Sequence, residues 1–231
     1  MRFIHMGTYT DPETAYYDDG ALRKLLVHDR SSISERMRRR RWSLILEHVP
    51  ELASLCVLDL GGTGGWWATA PVRPRHVTAV NLYDAQFVHP SVTMIEGDAL
   101  QADRLVGGQT FDLVFSNSVI EHVGGHSARR RFAELADSLA PRYVIQTPYR
   151  YFPIEPHWVF PGFQFLPVKA RGYLAPRWPL GHTHGYEART AVNEVMATEL
   201  LSASEMKEYF PDSDIVFERF GGVPKSMIAI R

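Results

Sequence analysis

The sequence is poor in three features that would each mark a class of protein. Cys56 is the one cysteine in 231 residues, which excludes an internal disulfide and a multi-cysteine metal site. No run of about 18 apolar residues is present, so no membrane-spanning helix is expected. The formal net charge of −1 gives no overall field of the kind that marks nucleic-acid or membrane binders. The opening MRFIHMGTYTDPETAYY also lacks the apolar stretch of a signal peptide, so we expect a cytoplasmic protein.

The length and the composition suit a single domain that covers residues 1–231. Hydrophobic residues make up 45% of the chain, which is enough for a sizeable core. Residues 1–50 are predicted to form an N-terminal helical cap. One helix is expected at 21–29, and a second is expected from Ser32, which has the spacing of a capping box with Glu35, to about His48.

Short β-rich segments alternate with helix-like segments from residue 56 onward. Strands are predicted at 56–60, 76–82, 92–97, 111–117 and 142–147, and a helix at 127–140. This alternation predicts a parallel sheet covered by helices. Because ligands bind such sheets at the carboxyl ends of the strands, the loop after each strand is a candidate site.

The alternation stops at residue 148. Residues 148–196 hold seven of the fifteen prolines and many aromatic side chains. A long irregular segment of this composition is usually functional, and we predict a substrate lid here. After it, Ser202 and Glu205 are spaced to start a helix, and strands at 214–220 and 225–231 flank a GGVP hairpin turn.

The segment VLDLGGTGGWW, residues 57–67, joins the first predicted strand to a helix. A glycine-rich turn of this kind lets backbone N–H groups approach a ligand closely. It lacks the third glycine of the dinucleotide fingerprint, and Trp66 and Trp67 would crowd a pyrophosphate. Asp59 would repel a phosphate and attract a cation. The ligand expected here is therefore positive or neutral.

The same segment resembles the first motif of class I S-adenosylmethionine-dependent methyltransferases. The family pattern D-x-G-x-G-x-G is matched by Asp59, Gly61, Gly62, Gly64 and Gly65, with Thr63 where the family has its middle glycine. The resemblance implies a Rossmann-like seven-stranded, mostly parallel α/β sheet with helices on both faces and an antiparallel last strand. It also implies S-adenosyl-L-methionine as cofactor, a ligand with two positive groups and no phosphate.

Three later motifs extend the resemblance and supply further cofactor-binding candidates. VNLYD provides Asn81 and Leu82 where the family usually has an acid for the ribose, with Asp84 as a substitute. EGDAL resembles the adenine-binding motif. FDLVFSNSVIEHV resembles the loop at the methionine end. These two motifs imply cofactor contacts from Asp98, Ala99, Ser116, Asn117 and Ser118.

Beyond residue 147 the chain resembles a bacterial subgroup associated with glycan and other cell-surface or secondary-metabolite pathways. The resemblance favours a small-molecule or carbohydrate-containing acceptor, and we expect in-line methyl transfer to one of its oxygens. Transfer to nitrogen or carbon remains open. Acceptor-lining candidates are Tyr149, Arg150, Glu155 and Trp158. A lipid-linked acceptor and a peripheral membrane contact through the aromatic segment remain open. The oligomeric state also remains open, a homodimer included.

His122 and His157 are the candidates for the general base. Each follows a strand, and a neutral imidazole accepts a hydroxyl proton near pH 7. The alternative is a metal cluster of Glu121, His122 and His126. It lacks the first acid of the comparable quinone-pathway enzymes, where Ser118 stands here, so no metal is predicted.

Three rival functions remain open at this point. A nucleic-acid methyltransferase would use the basic run from Arg36 to Arg41 as its backbone groove, although such a run is usually a solvated face, so no nucleic-acid partner is expected. A non-catalytic S-adenosylmethionine-binding module would keep the fold without an acceptor pocket. A nicotinamide dehydrogenase would need a pyrophosphate over the glycine turn.

Overall fold

The computed structural model describes residues 33–68, 70–83 and 89–231. The helix predicted at 21–29, the Ser32 cap and Asp84 lie outside these residues. The second predicted helix is confirmed as α1, Ile33–His48.

One seven-stranded sheet forms the centre of the described chain. Its spatial order is β3 (Val92–Glu96), β2 (His76–Asn81), β1 (Cys56–Leu60), β4 (Leu113–Asn117), β5 (Tyr143–Pro148), β9 (Val223–Ile230) and β8 (Asp214–Phe220). The first five strands are mutually parallel, and β9 is antiparallel to both β5 and β8. The predicted strands and the antiparallel last strand are confirmed.

Helices cover both faces of the sheet because successive strand residues point to opposite sides. Val57 packs with α1 and with α2, Gly64–Ala68, through Ile45 and Trp67. Leu58 packs on the other face, where Phe132 and Met206 contribute. That face carries α3 (Ala102–Leu105), α4 (His126–Leu139) and α7 (Ala203–Tyr209). None of the described helices combines the length and the hydrophobicity that a bilayer span requires.

The capping box predicted at α7 is complete. The Ser202 hydroxyl accepts from the backbone N–H of Glu205, and the Glu205 carboxylate accepts from the backbone N–H of Ser202 over 2.7 Å. The helix therefore begins where the sequence places it.

The segment between β5 and α7 is a folded insertion rather than an irregular loop. It contains a short hairpin, β6 (Ile154–Glu155) with β7 (Phe160–Pro161), and two helices, α5 (Val168–Leu174) and α6 (Ala188–Ala197). Its own small core comprises Trp158, Phe163, Ala175, Ala191 and Val195. This core explains the concentration of aromatic residues that the sequence shows. The lid function remains a prediction.

Candidate functional site

The glycine turn after β1 lies closely against its surroundings. Gly61 has a φ of +80°, and a Cβ there would lie 2.6 Å from a methyl carbon of Val119. A Cβ on Gly62 would fall 1.6 Å from Oδ2 of Asp59. Both positions therefore require glycine, which lets the turn pack directly against Val119 and Asp59 at the carboxyl edge of the sheet.

Asp59 is buried beneath this turn with only half of its carboxylate satisfied. Its Oδ2 accepts a 2.6 Å hydrogen bond from Nε1 of Trp67, while Oδ1 has no partner among the described residues. Burial raises the pKa of Asp59 to about 7. An unmatched carboxylate oxygen fits a ligand that is cationic at this end and disfavours a phosphate.

The two tryptophans do not crowd the turn, and that part of the sequence argument is wrong. Trp67 is buried in the core beside Asp59, with its ring centroid 5.7 Å from that of Trp42. Trp66 stacks on the same Trp42 ring at 5.3 Å. The charge of Asp59, rather than steric crowding by the tryptophans, therefore disfavours a pyrophosphate at this turn.

Asn81 at the end of β2 holds the glycine turn. Its Nδ2 donates to the carbonyl oxygens of Gly61 and Gly62, both over 2.9 Å, and its Oδ1 accepts from the backbone N–H of Tyr83. The carboxylate usual in the resembling family could not donate these bonds. Both amide hydrogens of Asn81 are used within the protein in this arrangement and are not available to a ribose. Leu82 and Thr63 are exposed alongside.

The adenine-motif candidate Asp98 lies beside Asn81, because the N–H of Gly97 donates to the Asn81 carbonyl over 2.8 Å. Asp98 Oδ1 accepts from the backbone N–H of Leu100 over 2.9 Å and caps a short 3₁₀ turn, Ala99–Gln101. Ala99 is buried. One carboxylate oxygen thus has a structural role, and the other has no hydrogen bond to the described residues.

The three candidates at the end of β4 differ in what their side chains do. The buried hydroxyl of Ser116 donates to the Leu60 carbonyl over 2.8 Å, so it joins β4 to β1 instead of facing a ligand. Ser118 has a φ of +58°, and its hydroxyl donates to Gln146 Oε1 over 2.9 Å. A left-handed backbone at a residue other than glycine is a strained feature that concentrates at functional sites.

Asn117 receives a contact that the sequence analysis did not foresee. Arg41 of α1 donates to Asn117 Oδ1 over 2.6 Å and forms a 2.9 Å ion pair with the buried Glu218 of β8. Arg41, the last residue of the basic run, therefore points inward, whereas Arg36 and Arg40 are exposed. A groove for nucleic acid along the whole run is not supported.

The two predicted base candidates lie together. His122 follows β4, His157 follows the β6 strand of the insertion, and their Nε2 atoms are 3.1 Å apart. Nδ1 of His157 lies 2.6 Å from Oε1 of Glu155, whose other oxygen accepts from the backbone N–H of Trp158. His157 is thus fixed from behind by Glu155, and its Nε2 is directed at His122.

Glu121 completes a three-residue cluster with this pair. Its carboxylate is fully buried, and Oε2 accepts from the Thr147 hydroxyl over 2.8 Å. Its Oε1 has no hydrogen-bond partner among the described residues and lies 4.0 Å from Nε2 of His122. One ligand atom from each of Glu121, His122 and His157 lies within 4.8 Å of the other two.

The surroundings shift the pKa values of Glu121, His122 and His157 in different directions. Burial raises the pKa of the Glu121 carboxyl. Burial and the nearby His157 lower the pKa of His122. Burial also opposes a charge on His157, but the hydrogen bond that it donates to Glu155 and the negative charge of that carboxylate outweigh burial and raise the pKa of His157. Perturbed groups of this kind concentrate at functional sites.

His126 does not take part, so the metal cluster considered from the sequence is corrected. His126 lies at the start of α4, and its Nδ1 is 2.9 Å from the hydroxyl of Tyr209 in α7. His157, and not His126, lies beside Glu121 and His122. The place of His157 in this cluster could have been found from the sequence, because the loops after β4 and β5 lie at the same edge of neighbouring parallel strands.

Three of the four acceptor candidates have side chains that bond other parts of the protein, and the fourth is half-exposed. Trp158 is 1% exposed in the core of the insertion and donates to the Thr183 hydroxyl, so its expected contact with an acceptor is corrected. Glu155 is buried behind His157. Arg150 bonds the Leu200 carbonyl and pairs with Glu205. Tyr149 remains half-buried, packed edge-on against the rings of Tyr151 and Phe217.

No protein-family model matches the sequence. No curated protein matches it either. Solved structures do match the fold. The SAH complex of DhpI has a TM-score of 0.53 at 12% identity and covers 87% of each chain. The small RNA methyltransferase HEN1 has a TM-score of 0.50 at 16% identity, over 84% of this chain and 25% of that one.

An O-methyltransferase family protein from Burkholderia thailandensis is 15% identical, with a TM-score of 0.49 over 85% of this chain. The present chain spans 56% of the length of that protein. At these identities the similarity shows the fold alone. The chain has the Rossmann-like α/β fold of class I methyltransferases.

Proposed function

We propose that this chain is an S-adenosylmethionine-dependent methyltransferase that methylates an oxygen of a small-molecule or carbohydrate-containing acceptor. One observation carries the proposal. A buried carboxylate with an unmatched oxygen, that of Asp59, lies beneath a turn in which neither Gly61 nor Gly62 can accept a Cβ. The negative charge of this carboxylate favours a ligand that carries positive charge at the turn and has no phosphate there.

The residues that would hold the donor lie at the carboxyl ends of β1, β2, β3 and β4. The donor would supply an electrophilic methyl group on a sulfonium. Asp59 provides the negative charge, and the oxygen of Asp98 that does not cap the 3₁₀ turn is available to the adenine amino group. The remaining binding candidates are Gly61, Gly62, Thr63, Gly64, Asn81, Leu82, Ala99, Asn117 and Ser118, with Ser116 supporting them from inside the sheet.

Proton removal from the acceptor is assigned to the histidine pair. His122 is 39% exposed and follows the strand whose loop faces the donor in this fold, so an acceptor hydroxyl can reach it. His157 lies behind it, backed by Glu155. The hydroxyl proton passes to an imidazole nitrogen as the oxygen gains the methyl group.

The insertion supplies the acceptor side. Tyr151 and Phe165 are exposed and stack with their ring centroids 6.2 Å apart. Exposed aromatic faces of this kind suit the apolar faces of sugar rings. Tyr173 is also exposed, and Arg177 covers its ring at 4.1 Å. A cation beside an exposed aromatic ring suits an acceptor joined to an anionic lipid.

Calorimetric titration with S-adenosylmethionine and S-adenosylhomocysteine tests the donor assignment. Asp98→Asn keeps an oxygen for the Leu100 N–H but presents an amide to the adenine. We therefore expect the affinity of the variant for S-adenosylmethionine to fall about tenfold or more. Asp103→Asn is the matched control, because Asp103 is exposed and pairs with Arg131 away from the turn. Failure of the wild-type chain to bind either ligand would reject the proposal.

Two further measurements separate the rivals. Fluorescence titration with NADH reports a dinucleotide site, which the charge of Asp59 should prevent. A non-catalytic module would bind the donor normally but would methylate no member of a library of hydroxylated glycans and small molecules.

A further inference from the structure

We infer that Glu121, His122 and His157 bind one divalent transition-metal cation. The two Nε2 atoms are 3.1 Å apart, and Oε1 of Glu121 lies on the same side, 4.0 Å from Nε2 of His122. The pair needs something between its nitrogens, since two lone pairs at this distance repel each other. A shared proton or a cation meets that need.

The distances suit a cation. Two nitrogen ligands about 2.1 Å from a metal and 3.1 Å from each other subtend about 95° at the ion. This angle lies near the octahedral value and fits the arrangement of two histidines and one carboxylate on one face of a metal. Small rotations of His122 and Glu121 would bring the carboxylate oxygen to a coordinating distance.

The unmatched oxygen of Glu121 is an independent observation that points to a ligand. The side chain is fully buried, and Oε1 has no hydrogen-bond partner in the described chain. A buried carboxylate oxygen without a partner is strongly unfavourable while the group is charged. A cation between Glu121 and the histidines would compensate it directly.

Outer hydrogen bonds already orient two of the three ligands. Glu155 accepts from Nδ1 of His157 over 2.6 Å, which leaves the lone pair on Nε2. Thr147 holds the other oxygen of Glu121 over 2.8 Å. A carboxylate behind a ligating histidine is the usual support of a protein metal site. On its exposed side, next to His122, the cluster leaves room for a further ligand.

The cation's role in catalysis rests on the proposed function, whereas its binding does not. An acceptor hydroxyl that takes the open position would have its pKa lowered by the cation. Its proton would leave to solvent, and the alkoxide would remain to accept the methyl group. The shared-proton and cation forms of the pair are thus two ways to activate the same hydroxyl.

The test is titration of the chelator-treated, dialysed protein with Zn²⁺ by calorimetry and with Co²⁺ by visible absorption. We expect one cation per chain and Co²⁺ bands typical of nitrogen and carboxylate ligands. His157→Gln and Glu121→Gln should abolish stoichiometric binding, and Glu155→Gln should weaken it about 10- to 100-fold. His126→Gln is the matched control and should bind like the wild type.

Absence of one-to-one binding in the wild type, or equal weakening by His126→Gln, would overturn the inference. The wild-type Co²⁺ spectrum decides the matter even if a cluster variant fails to fold. S-adenosylmethionine is titrated into the same samples. Donor binding without metal binding would reject the cation site and leave the methyltransferase proposal intact. Metal binding without donor binding would support the cation site and reject the methyltransferase proposal.

Discussion

The indole N–H of Trp67 donates to Asp59 over 2.6 Å, and this bond is the one hydrogen bond that the buried carboxylate receives from the described residues. The ring is itself held in the core by Trp42 and Phe115. Asp59 is therefore fixed in place but only partly compensated. Such a carboxylate lowers the stability of the ligand-free fold while it is charged.

Asp59→Asn should stabilise the ligand-free protein at neutral and higher pH. The native pKa of about 7 lies above the ordinary value of 3.8, so the native state binds more protons than the unfolded state between them. The wild type therefore loses stability as pH rises through this window, by about 2 to 3 kcal/mol between pH 5 and pH 8. The variant should lack this loss, because its amide can still accept from Trp67. Urea unfolding of both proteins at several pH values measures it, and parallel pH profiles would contradict it.

Donor binding should release protons near pH 7. About half of the Asp59 carboxyls are protonated there, and a cationic ligand nearby favours the charged form. The heat of S-adenosylmethionine binding should therefore differ between buffers of different ionisation enthalpy, by up to about half a proton per donor. Asp59→Asn should bind more weakly and show no buffer dependence. Equal heats in both buffers for the wild type would refute this linkage.

Asn81→Asp, which restores the family's usual residue, should impair this protein. The carboxylate would face the carbonyl oxygens of Gly61 and Gly62 without hydrogens to donate. Two lost hydrogen bonds and the added repulsion should lower the free energy of unfolding by about 2 to 3 kcal/mol. Donor affinity should fall with it. Urea unfolding and calorimetry report the two effects, and a gain in affinity would show that ribose recognition outweighs support of the turn.

Arg41→Ala should damage both stability and donor binding. It leaves the buried Glu218 unpaired and removes the donor that holds Asn117. Loss of one partner of a buried ion pair lowers the free energy of unfolding by about 3 kcal/mol. Arg40→Ala, on the exposed face of the same helix, should change it by less than about 0.5 kcal/mol. If both variants unfold alike, the inward contact has no energetic role.

Two aromatic substitutions in the insertion should separate its core from its surface. Trp158→Ala creates a cavity in the core of the insertion and should cost about 3 to 5 kcal/mol. Tyr151→Ala removes an exposed ring and should leave stability within about 0.5 kcal/mol. Once an acceptor is known, Tyr151→Ala should raise its KM and leave the donor Kd unchanged. An unchanged KM would argue against a lid that contacts the acceptor.

The framework of the fold is predictable because its signals are local. The apolar runs at 56–60 and 214–220 are strands with the predicted bounds, and Ser202 and Glu205 mark a helix start with their own hydrogen bonds. The glycines and Asp59 likewise predict the turn after β1 from their residue types alone. In each case the residues that determine the structure are neighbours in the chain.

The contacts that the sequence does not reveal join distant residues. Arg41 and Glu218 are 177 positions apart, and nothing in either segment marks the other. The position of Trp67 in the turn predicts a side chain near the ligand. The sequence does not show that the ring points into the core, where it contacts Trp42 and Phe115. The sequence does not reveal α5 and α6, because they pack around a small core whose members, such as Trp158 and Val195, lie far apart in the chain.

The insertion enters after β5 and leaves before α7, and it carries its own core. A segment built in this way can be exchanged as a unit. Under the proposed function, the range of acceptors could therefore diverge in evolution while the donor half stays constant. His157 belongs to the exchanged unit, and His122 belongs to the constant one. If the proposed function is correct, each replacement of the insertion must either restore a partner for His122 or change the way in which the acceptor is activated.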